Sequence, residues 1–209
     1  MATLKKLMTE RAEPDMVFIS DVDGVHTSPK SGAKISARPD KAFGSLFTLT
    51  NGVEIIELRL TKDPKDCEYV IGGFVDEDIM EFYQFHTPDG QAVLNLLQKE
   101  IRTVIVSGRN AAPVRDRFEN KLGAETHLGV RDKLIWAREL DFDLSSVIFI
   151  SDGHQDASLL SAVHEAGGIA IAPADAELEA KTSSGALTSA DGGEGVFAEV
   201  VQAYLWALK

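Results

Sequence analysis

The stretch MVFISDVDG, residues 16–24, decides the fold. A short apolar run, partly β-branched and closed by an acidic turn, reads as a strand buried on both faces, as in a parallel sheet. The same form recurs in IRTVIVS (101–107), which runs into Gly108-Arg109, in SVIFIS (146–151), which runs into Asp152-Gly153, and in GGIAIA (167–172). Helical spacing fills the gaps at 88–100, 112–122, 133–140 and 156–166. Residues 195–208 close the chain with Val196, Phe197, Val200, Val201, Tyr204 and Leu205 on one stripe. Strand followed by helix, repeated, predicts an α/β protein: a doubly wound, Rossmann-like parallel sheet with helices on both faces.

One region breaks that rhythm. Residues 43–50 and 53–61 flank Asn51-Gly52, a strong hairpin signal, and 68–75 and 79–85 flank Asp76-Glu77-Asp78. The expectation is one domain over 1–209 with an antiparallel β-hairpin insert at about 43–86.

Composition narrows the function. The chain has 209 residues, 44% hydrophobic and 26% charged, as an ordinary globular protein does. Its 21 Lys and Arg against 33 Asp and Glu give a net charge of −12. That disfavours nucleic acid and anionic membranes as partners, since both select basic surfaces. The one cysteine, Cys67, excludes an intramolecular disulfide and a multi-cysteine zinc site. There is no run of about 18 apolar residues to span a membrane. The opening MATLKKLMTERAEPD lacks the apolar core of a signal peptide, so a cytoplasmic protein is expected.

The strand ends carry the chemistry: Asp21 and Asp23, then Ser107, then Asp152 and Asp156. In an open α/β sheet these ends share the edge where ligands bind. Converging carboxylates repel one another unless a cation joins them, and carboxylate, carbonyl and water ligands suit Mg2+. Lys133, at a helix start, offsets the negative charge and can hold a phosphate oxygen. The Ser107 hydroxyl and the Gly108 N–H are further phosphate donors. Asp21 and Asp23, two residues apart at a strand–loop junction, reach one pocket as a nucleophile and a general acid.

In this order the motifs VFISDVDGVHT, VIVSGR, GVRDKL and VIFISDGHQD resemble the four motifs of the haloacid dehalogenase superfamily of phosphohydrolases. The likeness spans residue 16 to the C-terminus apart from the insert. DVDGVHT, FHTPDG, SGR, GVRDK and the late GGEG resemble the small-capped (C0) branch that acts on 3-deoxy-octulosonate 8-phosphate. Phosphatases of nine-carbon sialic-type sugar acids share that branch.

The resemblance implies a hydrolase of a phosphorylated small molecule, with Asp21 attacking phosphorus and Asp23 passing the proton. Ser107, Gly108 and Lys133 hold phosphoryl oxygens. Mg2+ falls to Asp21, the Val22 carbonyl, Asp23 and Asp152, with Asp156 in support. Arg109 either binds a substrate carboxylate or pairs with a structural acid. The resemblance also implies a homotetramer built through the insert, with each pocket closed by a neighbour. The apolar residues Phe43, Leu46, Phe47, Ile55, Ile56, Val70, Ile71 and Phe74 agree with such a contact.

Two departures stand out. His26-Thr27-Ser28-Pro29 replaces the branch's usual Leu-Thr-Asp-Gly, and Ser151-Asp152-Gly153 replaces Gly-Asp-Asp. His26 is either a substrate contact or a packed histidine. Two readings from other classes are a receiver-type signalling domain and a silent oligomeric scaffold. The absence of an Asp ending the 101–107 strand disfavours the first, and the filled motif positions disfavour the second.

Overall fold

The four apolar runs are neighbours at the centre of one parallel sheet. In the computed structural model, residues 2–27, 34–35, 45–48, 54–61, 67–76 and 79–209 are described, with side chains for 2–27 and 83–209. In chain order the first elements are β1 (Ala2–Thr3), α1 (Leu4–Arg11), β2 (Val17–Ser20), β3 (Lys34–Ile35), β4 (Ser45–Thr48), β5 (Glu54–Thr61), β6 (Cys67–Asp76) and β7 (Ile79–His86). Then come α2 (Thr87–Leu97), β8 (Thr103–Ser107), α3 (Ala112–Arg115) running into a π-helical turn (Asp116–Lys121), β9 (Glu125–Leu128) and α4 (Lys133–Glu139). The chain finishes with β10 (Val147–Ile150), α5 (Ala157–Ala166), β11 (Ile169–Ala172), α6 (Leu178–Ser183), β12 (Ala186–Leu187) and α7 (Val196–Ala207).

The main sheet has the order β1-β12-β11-β10-β2-β8-β9, and every pair is parallel. Alternate residues of its central strands serve two cores. Phe18, Ile105, Ile148, Ile150, Ile169 and Ile171 meet α1, α2, α3 and α7 on one face. Ile19, Val104, Val106, Val147, Phe149 and Ala170 meet α4, α5 and α6 on the other. Helices therefore cover both faces, as the alternation of elements predicts. From β2 the chain builds outward through β8 and β9, then returns to the other side of β2 as β10. The carboxyl ends of β2 and β10 flank this reversal, where open α/β sheets place their ligands.

The second sheet is antiparallel, in the order β3-β7-β6-β5-β4. The sequence indicates two hairpins. In the fold β5 also pairs with β6, and β3 adds to β7, so the strands form one continuous sheet. The Asn51-Gly52 turn, residues 77–78 and Phe43 lie outside the described residues, as do the side chains of the insert's other named apolar residues. The last strand is anchored in the main core. Tyr83 and Phe85 are buried, Phe85 packs edge-on to Phe118, and its backbone bridges to Thr27.

Candidate active site

The site begins where β2 runs out. The Asp21 N–H still donates to Ile150 O at 2.9 Å, which keeps Asp21 beside β10. The chain then turns tightly. The N–H groups of Val25, His26 and Thr27 converge on the Val22 carbonyl at 3.2, 2.9 and 3.2 Å, and Thr27 Oγ1 adds a fourth donor. Gly24 sits in the turn at φ +73°, a conformation that favours glycine. A Cβ there would also lie 1.8 Å from Asp152 Oδ2, so the Asp152 carboxylate rests directly against this loop.

Four polar side chains meet below the turn. Lys133 Nζ lies 2.8 Å from Asp21 Oδ1 and 2.5 Å from Asp156 Oδ2. Ser151 Oγ lies 2.5 Å from Asp156 Oδ2 and 3.4 Å from Asp21 Oδ2. All four are almost fully buried. Lys133 arrives there because Asp132 caps α4, accepting from the Ile135 N–H at 2.9 Å, so the lysine is the first helical residue. Burial works to lower the Lys133 pKa, but Asp21 and Asp156 outweigh it and hold the ammonium above its ordinary value. Burial pushes Asp21 up, against the pull of Lys133 and with the push of Asp156. Asp152 is raised to about 7, first by burial and then by the charge of Asp21.

Burial is the largest cause of these carboxyl shifts, and a charge imbalance adds to it. Fully ionised, the three carboxyl groups of Asp21, Asp152 and Asp156 would face the single ammonium of Lys133, which leaves two negative charges uncompensated. Asp156 Oδ1 is buried without a hydrogen-bond partner among the described residues. A divalent cation fits both observations. The fit is one of charge and donor chemistry. Among the described residues no three His, Cys, Asp or Glu side chains form a ready metal-binding group, since Lys133 and Ser151 bridge the carboxylates instead.

The other candidate residues surround this cluster. Asp23 is half-buried and accepts from Thr27 Oγ1 at 3.4 Å. Ser107 ends β8, the strand beside β2, and its Oγ accepts from the Arg109 N–H at 3.1 Å. Gly108 and Arg109 are exposed, and the Arg109 guanidinium stands 5.6 Å from the centre of the Tyr83 ring. The Val22 carbonyl does not suit the ligand role expected for it, because the turn's own donors engage it. His26 is the packed histidine of the two alternatives. It is buried between Phe118 and Phe197, with ring centres 4.8 and 4.7 Å away, and Nε2 is 3.1 Å from Ser20 Oγ. Burial, with a smaller push from Arg117, lowers its pKa to about 3. Sequence reasoning assigned no role to Ser151, although its place just before Asp152 at a strand end was a usable signal.

No family model matches the chain. Its fold does match solved structures. The 3-deoxy-D-manno-octulosonate 8-phosphate phosphatase of Moraxella catarrhalis, solved with magnesium, phosphate and KDO, is 21% identical with a TM-score of 0.64, and the match covers 96% of this chain and 91% of that one. The Yersinia pestis phosphatase of the same name is 23% identical with a TM-score of 0.63, covering 96% and 86%. The cobalt-bound Haemophilus influenzae phosphatase YrbI is 23% identical with a TM-score of 0.60, covering 96% and 91%. These likenesses establish the fold shared with such phosphatases.

Proposed function

We propose that the chain is a Mg2+-dependent phosphatase that hydrolyses a sugar-acid phosphomonoester through an aspartyl-phosphate. One observation carries this reading: the buried Asp21 carboxylate, at the sheet's reversal point, is held by Lys133 at 2.8 Å. The named activity of the structures sharing the fold, with magnesium and phosphate in one of them, supports it.

Asp21 attacks phosphorus, and the bond from phosphorus to the sugar oxygen breaks. Asp23, protonated at the start, gives its proton to that oxygen. It then takes a proton from the water that attacks the acyl phosphate, which frees phosphate and restores Asp21. Lys133, Ser107 and the Gly108 N–H hold phosphoryl oxygens, so the chain supplies positioning and charge, the main needs of phosphoryl transfer. Mg2+ would be held by Asp21 and Asp152 with Asp156 in support, leaving Asp23 for proton transfer, and would neutralise charge on the phosphoryl group. Arg109, exposed beside this edge, is the residue suited to a substrate carboxylate.

The same reading takes residues 1–209 as one cytoplasmic domain whose antiparallel insert joins four copies and roofs a neighbour's pocket. Among the described residues no helix is long and apolar enough to cross a membrane. Light scattering tests the assembly, and a mass near one 22.7 kDa chain would refute it. Phosphate release from an aryl phosphate, with Mg2+ and then with EDTA, tests the chemistry. A panel including eight- and nine-carbon keto-acid phosphates follows, to identify the sugar. Release is expected only with the metal, and metal-independent turnover or none would overturn the proposal.

A further inference from the structure

The two acidic loops of the site are joined by a closed ring of contacts that runs through Gly192, Gly24, Asp152, Glu177 and Asp175. Gly192 N–H donates to Asp175 Oδ1 at 2.7 Å. Gly192 is buried against the first loop, where a Cβ would lie 2.3 Å from Gly24 O, and the next N–H, of Gly193, donates to Val25 O at 3.0 Å. Gly24 in turn abuts the Asp152 carboxylate. The Asp152 carbonyl accepts from the Glu177 N–H at 2.9 Å, and Glu177 Oε2 accepts from the His154 N–H at 2.7 Å. Asp175 and Glu177 are two residues apart, so the chain itself closes the ring.

Each link constrains one element of the site. The Asp175 end presses the Asp21–Gly24 turn toward Asp152. The Glu177 end grips the turn that follows Asp152 at two points, its N–H donating to the Asp152 carbonyl and its carboxylate accepting from the His154 N–H. Neither side chain touches the buried cluster, and both are exposed.

We infer that Asp175 and Glu177 are positioning residues that set the separation of the Asp21 loop from Asp152, and so the cation affinity of the site. This rests on the phosphatase reading for the cation, whereas the ring itself does not.

The experiment compares wild type, E177A, E177Q, D175A and D175N. Mg2+ binding is measured by calorimetry, amide exchange by mass spectrometry and unfolding by heat. E177A should bind Mg2+ roughly tenfold more weakly, in line with the loss of a partner that orients a metal ligand. Exchange over 152–156 should quicken. Because the lost contacts are at the surface, the melting temperature should fall by less than about 4 °C. D175A should weaken Mg2+ binding likewise and quicken exchange over 24–27 and 190–193. E177Q and D175N keep a carbonyl acceptor and should restore both readouts. Alanine variants with Mg2+ affinity within about twofold of wild type and unchanged exchange would overturn the inference. A wild-type protein that binds no Mg2+ would overturn the phosphatase reading instead, and the exchange data would still judge the ring.

Discussion

Two polar clusters among the described residues differ in a way that separates chemistry from architecture. One joins Asp21, Lys133, Ser151 and Asp156 at the sheet edge. The other gathers Asp89, Arg117, His86 and His26 around a small gap beneath Phe85 and Phe118. Both hold a carboxylate pushed to about 7, Asp152 beside the first and Asp89 in the second, with burial as the largest cause each time. A raised carboxylate is therefore no sufficient mark of a functional site. The edge cluster carries excess negative charge and opens outward through half-buried Asp23 and Asp152. The inner cluster lies beneath aromatic rings, with His86 and Arg117 half-buried, and its carboxylate has a structural partner. Asp89 Oδ1 accepts from the Ala198 N–H at 2.8 Å and so caps α7 from α2, because the helix's own cap, Gly195, has no side chain.

The sharpest test of that contrast is a pair of isosteric changes. D21N should abolish phosphate release, a loss of more than about 10³-fold on removal of a nucleophile. D89N should leave turnover within a few-fold of wild type in the same steady-state assay.

Next comes stability. K133A leaves Asp21 and Asp156 buried without their cation and should cost about 3–5 kcal/mol in urea unfolding. Added Mg2+ should return part of that loss if the native state binds it. An unchanged midpoint would break the account of the edge cluster.

The inner cluster has its own signature in pH. Asp89 has a folded value of about 7 against an ordinary 3.8, so the native state retains a proton that the unfolded chain releases. Its contribution is fully favourable below about pH 4 and is lost as the pH rises through about 7. Wild type should lose stability relative to D89N across that window, by an amount on the order of 2–4 kcal/mol. Urea melts of the two proteins at pH 4.5 and 8 measure it, and parallel curves would contradict it.

The smallest effect belongs to His26. Replacement by Leu loses the Ser20 contact but also removes the buried Nδ1, which has no hydrogen-bond partner among the described residues. H26L should shift stability by no more than about 1–2 kcal/mol. A loss of activity out of proportion to that shift would show that the Ser20 link steadies Asp21.

Within the main sheet the strands legible from sequence are β2, β8, β10 and β11, adjacent to one another and buried on both faces, so their apolar runs are continuous. The unread ones, β1, β9 and β12, are two to four residues long and lie toward the sheet's margins, where only partial burial leaves little pattern. Helix α1 was missed for a related reason, since only Leu4, Leu7 and Met8 are buried in a basic segment. Asp21, Asp152, Asp156 and Lys133 could be found because each follows a strand or opens a helix.

The sequence by itself determined the doubly wound parallel sheet and the edge at which its acids gather, because apolar periodicity and strand-end residues are local properties of the chain. Only the tertiary structure decided the rest. It directs Lys133 and Ser151 onto Asp156, engages the Val22 carbonyl in a turn, packs His26 between two rings and sets Gly192 against Gly24. The contacts of Lys133, His26 and Gly192 join residues far apart in sequence, whose distances are fixed only when the helices close on the sheet.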